Sequence, residues 1–195
     1  GQHILHLPAH LEDGDHTWHL TLLPIYQSTS LPHTIHITAP DRAFTPPPVG
    51  VEIDTRLGDV ITLLGATLHP GTRDLTPGTP LTTTLVWRAD GRAPTSYHVF
   101  LHLIGPDGAL AAQSDGIPAN WTRPTTGWLP GEYVTGWLPG EYVTDVRLLS
   151  IPPDAPAGEY TLSAGLYVPG GERLTAPDGT DAVTLATIAL RTQSE

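Results

Sequence analysis

Apolar and polar residues alternate with a period of two along most of this chain. His16-Thr17-Trp18-His19-Leu20-Thr21-Leu22 sets Trp18, Leu20 and Leu22 on one side and Thr17, His19 and Thr21 on the other, the pattern of a strand with one buried face. Residues 33–38 alternate again, with Ile35 and Ile37 together. Beyond residue 51 the spacing predicts seven strands, over 60–68, 81–88, 97–104, 109–114, 144–151, 159–168 and 182–190. Turn signals such as Pro77-Gly78, Asp90-Gly91 and Pro177-Asp178-Gly179 separate them. Leu81, Leu85 and Trp87 form one expected core row, and Val99, Leu101 and Leu103 another. Phe100 and Ile104 make that second strand apolar on both sides, so burial of both its faces is expected. No window holds a 3.6-residue apolar period long enough for a helix. Strands at this spacing predict an all-β fold, a two-sheet β-sandwich of immunoglobulin-like or jelly-roll-like type.

Residues 41–50, with Pro46-Pro47-Pro48, read as a polyproline-type connector. The chain divides there into a partial sandwich of about three strands over 1–44, the connector proper over 45–50, and a complete sandwich over 51–195. The front segment repeats the back of the chain. A shift of 144 sets Leu5, Pro8, Gly14, Thr17 and Leu22 on Leu149, Pro152, Gly158, Thr161 and Leu166, and sets His16 on Tyr160. Residues 33–38 then answer to the final strand near 183–190. Residues 1–40 therefore read as the last strands of a second sandwich. Strands without a facing sheet leave an apolar side and open edges. They must pack on residues 51–195, pair with another chain, or belong to a larger protein. The chain opens on Gly1 rather than Met, which suggests a processed or excised piece of a longer product. Trp18, Leu20, Leu22, Ile35 and Ile37 are the candidate assembly residues. Self-association through residues 1–44, by strand complementation into a filament or oligomer, is one expected role.

Residues 126–143 hold T-G-W-L-P-G-E-Y-V written twice without a break. Each copy places a Trp before a Pro-Gly turn and a Tyr-Val pair after it, with Pro fixing φ and Gly supplying the positive φ of a type II turn. A period of nine is odd, so a slip by one copy would turn the core face of a strand toward water. One copy is expected in a sheet and the other in a loop or extra hairpin. The duplication reads as an insertion tolerated in a loop, as an aromatic binding surface, or as an assembly contact.

Composition narrows the function. The formal charge is −11 and all nine basic residues are Arg. An acidic surface repels phosphate backbones, so nucleic acid is not an expected partner. The chain has no Cys, hence no disulfide or thiolate metal site. No run approaches the length of a membrane-spanning helix.

Seven of the ten His fall within the first 36 residues. Imidazole pairs bind Zn²⁺ or Cu²⁺, but no HExxH spacing occurs, and solvated or partner-facing His is the plainer reading. His98 and His102 share a strand face roughly 13 Å apart, too far for one ion. No GxSxG elbow, GxGxxG or Walker pattern is present, and no metal, cofactor or catalytic residue is expected. Asn120-Trp121-Thr122 fits a glycosylation sequon. Trp121, Trp128, Trp137, Tyr133 and Tyr142 are the candidate ligand-binding residues, because flat aromatics beside hydrogen-bonding side chains stack on sugar rings. A Trp beside a Pro-Gly turn also caps sandwich cores, and one of Trp128 and Trp137 is expected to do so.

The run H-V-F-L-H-L-I-G-P-D-G-A-L-A-A-Q-S-D-G from His98, the later W-L-P-G-E-Y-V-T-D, and P-P-D-A-P-A-G-E-Y-T-L-S-A-G-L-Y-V from Pro152 resemble an extracytoplasmic β-sandwich. It is the one appended to bacterial membrane glycosyltransferases of the protein mannosyltransferase-like group, and similar sandwich modules occur in other surface proteins. The resemblance covers about residues 52–190. It implies an exported, bacterial, cell-surface domain without catalytic machinery, for glycan recognition or domain presentation. The second WLPGEYV copy and the half-domain front depart from that pattern.

Overall fold

A computed structural model of the chain describes residues 12–22, 25–38, 41–73, 75–125 and 140–191. The alternating runs are strands: β1 (Gly14–Leu22), β2 (Gln27–Ile37), β3 (Val51–Leu57), β4 (Ile61–His69), β5 (Pro80–Ala89), β6 (His98–Ile104), β7 (Leu110–Gly116), β8 (Tyr142–Ser150), β9 (Gly158–Tyr167) and β10 (Val183–Leu190). Two four-stranded antiparallel sheets, ordered β3-β4-β5-β8 and β10-β9-β6-β7, form the expected β-sandwich, and β1 and β2 pair separately as a hairpin.

The predicted core rows face each other across the sandwich. Leu81, Leu85 and Trp87 of β5 and Val99, Leu101 and Leu103 of β6 are fully buried, joined by Leu63 from β4 and Leu162 and Ile188 from β9 and β10. Burying side chains of this size stabilises a fold by ~1.5–3 kcal/mol each before entropy is counted. Phe100 is buried on the opposite face of β6, as its two-sided apolar pattern predicts. Its ring lies over Gly165 of β9, where a Cβ would stand 2.4 Å from it.

Strand β3 was not among the seven expected beyond residue 51. Val51, Ile53, Thr55 and Leu57 do alternate, but Asp54 takes φ of 51° at a register break between Glu52 and Thr55. A bulge of this kind adds one residue to an edge strand against its partner.

Of the repeat at 126–143, residues 126–139 lie outside the described residues. The end of its second copy is described: Gly140 takes φ of 82°, and Tyr142-Val143 opens β8. That copy enters the sheet. The connector also touches β8, since the Tyr142 N–H donates to the Ala43 carbonyl at 2.8 Å and Arg42 pairs with Glu141 at 2.7 Å.

Candidate functional site

Between β7 and β8 the chain makes one short helical turn over Pro118–Trp121. Ala119, Asn120 and Trp121 all have positive φ, at 52°, 52° and 70°. Each costs ~1–2 kcal/mol for an L-residue, so three in succession persist only when the surroundings hold them. The holding groups come from β8. Asp145 and Arg147 pair at 2.8 Å with side chains 0% and 6% exposed. The Asp145 carboxylate also accepts the Ala119 N–H at 2.8 Å, and the Arg147 guanidinium donates to the Gly116 and Ile117 carbonyls at 2.9 and 3.0 Å. Burial pushes the Asp145 carboxyl above the usual carboxylate range, and the Arg147 charge, the hydrogen bonds from it and the Ala119 N–H act against that push.

The product of this arrangement is an exposed indole. Trp121 is 58% exposed and lies against Gly116, where a Cβ would come within 2.9 Å of the ring. It meets His98 edge-on at 5.4 Å between centroids, and His98 meets Tyr167 edge-on at 5.5 Å. Phe100 stands next to both Tyr167 and His102, with the Arg173 guanidinium 4.2 Å above its ring. An aromatic strip thus runs along the outward side of β6 and β9.

Two hollows border the strip. One, about 450 Å³, is lined by Trp121, Asn120, Ser114 and Asp115 together with the exposed Val146 and Leu148 of β8. The other, about 140 Å³, is lined by Phe100, His102, Tyr167 and Arg173, and again by Asp115. Asp115 therefore joins them. Its Oδ1 faces His102 Nε2 at 3.4 Å, and neither atom has a hydrogen-bond partner.

No protein-family model matches the chain, and no curated protein matches it. The functional reading therefore stands on this geometry and on the residues quoted for the resemblance.

Of the candidate ligand-binding residues, Trp121 is in this site. Trp128, Tyr133 and Trp137 lie outside the described residues, and with them the expected core cap. Tyr142 opens β8 opposite Arg88 and is not part of either hollow. His98, Asp115, Tyr167 and Arg173 were not singled out as binding residues. The alternation of β6 does put His98, Phe100 and His102 on one outward face, and that was the available signal. Among the described residues no group of three or more His, Asp or Glu is placed to hold a metal ion.

The two imidazoles make stability depend on pH. Burial, and then the charge of Arg147 for His98 and of Arg173 for His102, holds both below the ordinary histidine value, against the pull of Asp115. The unfolded chain then takes up protons first as pH falls through about 6.5. Stability is accordingly full above that value and declines from there down toward the folded-state pKa values. Urea midpoints at pH 7.5 and 5.5 are expected to show this decline, and His102→Gln is expected to shrink it. An equal decline in the variant would contradict the assignment.

Proposed function

We propose that this chain is a non-catalytic, exported surface module that binds a glycan along the strip from Trp121 to Tyr167. One observation carries the reading: an indole more than half exposed on a strained turn that a buried ion pair holds in place. Strain of this kind clusters at ligand sites, and a Trp serving only the core would be covered. The chemistry fits a pyranose. Its apolar C–H face stacks on an indole, while Asn120, Ser114 and the Asp115 carboxylate offer donors and acceptors for hydroxyls. The net charge of −11 disfavours polyanions and favours neutral sugars.

A glycan array carrying neutral and acidic polysaccharides tests the class of ligand. Binding confined to neutral glycans is expected. Trp121→Ala is expected to lower affinity at least about tenfold, equivalent to ~1.4 kcal/mol, without moving the unfolding midpoint. No binding to any glycan would end this reading.

A further inference from the structure

From its open end to Thr17, the hairpin β1–β2 repeats the pairing of the hairpin β9–β10. Gly14 pairs with Ile37 as Gly158 pairs with Leu190, His16 with Ile35 as Tyr160 with Ile188, and Thr17 with Thr34 as Thr161 with Thr187. Both hairpins open on a glycine at positive φ, 135° at Gly14 and 155° at Gly158, a conformation that suits glycine. Two residues further on, the side chain turns back to the carbonyl four positions upstream. The His16 Nε2–H donates to Glu12 O at 2.9 Å, and the Tyr160 hydroxyl donates to Pro156 O at 2.9 Å. The shift is 144 residues from β1 to β9 and 153 from β2 to β10, and up to Thr17 it holds in strand pairing, in backbone conformation and in this hydrogen bond.

The same equivalence places the apolar face. Trp18, Leu20 and Leu22 fall on Leu162, Ala164 and Leu166, while Ile35 and Ile37 fall on Ile188 and Leu190. All five of those counterparts belong to the sandwich core. In β1–β2 Leu20 is 50% and Ile35 37% exposed, Trp18 is half-buried and Ile37 is buried. The opposite face is polar and internally bonded, through Asp15 to His36 at 2.9 Å, Ser30 to His19 at 3.2 Å and Thr21 to Ser28 at 3.1 Å. Among the described residues no strand pairs with the outer edge of β1, whereas β9 pairs with β6 along that edge.

We propose that β1–β2 is the closing hairpin of a further sandwich of this kind, carried ahead of β1 in the same polypeptide, whose other six strands cover the apolar face. Two observations choose this occupant. The hairpin's place requires a vacant edge like that of β6 and a facing sheet like β3-β4-β5-β8. An intact second copy of this chain offers no such vacancy, because its own β9 already fills the β6 edge. The sequence match also continues upstream of β1, where Leu5 and Pro8 fall on Leu149 of β8 and on Pro152 in the loop that follows it. The sequence match thus reaches the residues before the hairpin, and on this proposal the proline-rich connector joins two like domains.

The test supplies the missing unit. Residues 45–157 are placed ahead of Gly14, in place of residues 1–13, and amide hydrogen exchange is followed in the extended and parent chains. Residues 14–37 are expected to exchange at least about a hundredfold more slowly in the extended chain, as buried sheet amides do. Ile35→Asp in the extended chain is expected to abolish that protection. Equal exchange of residues 14–37 in the two chains overturns the proposal, whether or not the added segment folds. So does equal protection in the Ile35→Asp variant. A parent chain already protected there, with light scattering that shows concentration-dependent oligomers, also overturns it in favour of a second copy.

Discussion

Arg147→Ala is expected to lower the free energy of unfolding by ~3–5 kcal/mol, the usual consequence of stripping one partner from a buried ion pair. The Asp145 carboxylate that remains is fully buried, and the carbonyls of Gly116 and Ile117 lose their donor. Each unsatisfied buried group adds its own desolvation cost. The deficit is expected to shrink toward acid pH. Burial already raises the Asp145 pKa, loss of the Arg147 cation raises it further, and a protonated carboxyl no longer needs a counter-ion. The double variant Asp145→Leu with Arg147→Met separates stability from site geometry. Apolar replacement of a buried pair commonly restores stability, but it returns no partner to Ala119 N–H or to the two carbonyls. Urea denaturation is expected to recover in the double variant while the near-ultraviolet circular dichroism of Trp121 stays altered. A native Trp121 signal in either variant would show that the turn does not depend on the pair.

Glu141→Ala is expected to cost a similar ~3–5 kcal/mol. Its side chain is 0% exposed and lies between two cations, Arg42 at 2.7 Å and Arg123, whose side chains are 12% and 13% exposed. Arg123 also donates to the Asp41 carbonyl at 3.1 Å, so one carboxylate ties β8 to both the connector and the segment after the Trp121 turn. Its removal takes a buried carboxylate from both guanidinium groups. Glu141→Gln keeps the shape but not the charge, and an intermediate loss is expected. Thermal unfolding ranks the three proteins, and limited trypsin digestion at Arg42 is expected to accelerate in the alanine variant. An unchanged melting temperature would mean that the two arginines find equivalent partners elsewhere.

Much of this fold is legible in the alternation of residues. Leu81, Leu85 and Trp87 announce an inward face, and Phe100 within Val99–Leu103 announces a strand covered on both sides. Strand β3 alternates too but is short and weakly apolar, with Val51, Ile53 and Leu57 among four polar residues. The half-domain repeat rests in sequence on two leucines, one proline, one glycine and one threonine, and the pairing of β1 with β2 follows that of β9 with β10 as far as Thr17. The site was less accessible. Trp121 stood out as an aromatic, but positive φ at Ala119 leaves no trace in residue type, and Asn120, though asparagine favours positive φ more than other non-glycine residues, does not mark the turn by itself. The neighbours His98 and Tyr167 meet only because β6 pairs with β9, a long-range register that no local pattern encodes. The burial of Glu141 has no local signal for a related reason: two arginines distant in sequence make it tolerable.

On the proposed function, the strained turn presents Trp121 to a sugar. Calorimetric titration of the parent chain and of Trp121→Ala with the same neutral glycan, at matched unfolding midpoints, measures this directly. Saturable binding by the parent, weakened at least about tenfold in the variant, is the expected result. Equal affinity in the two proteins, or no heat of binding in either, would contradict the account.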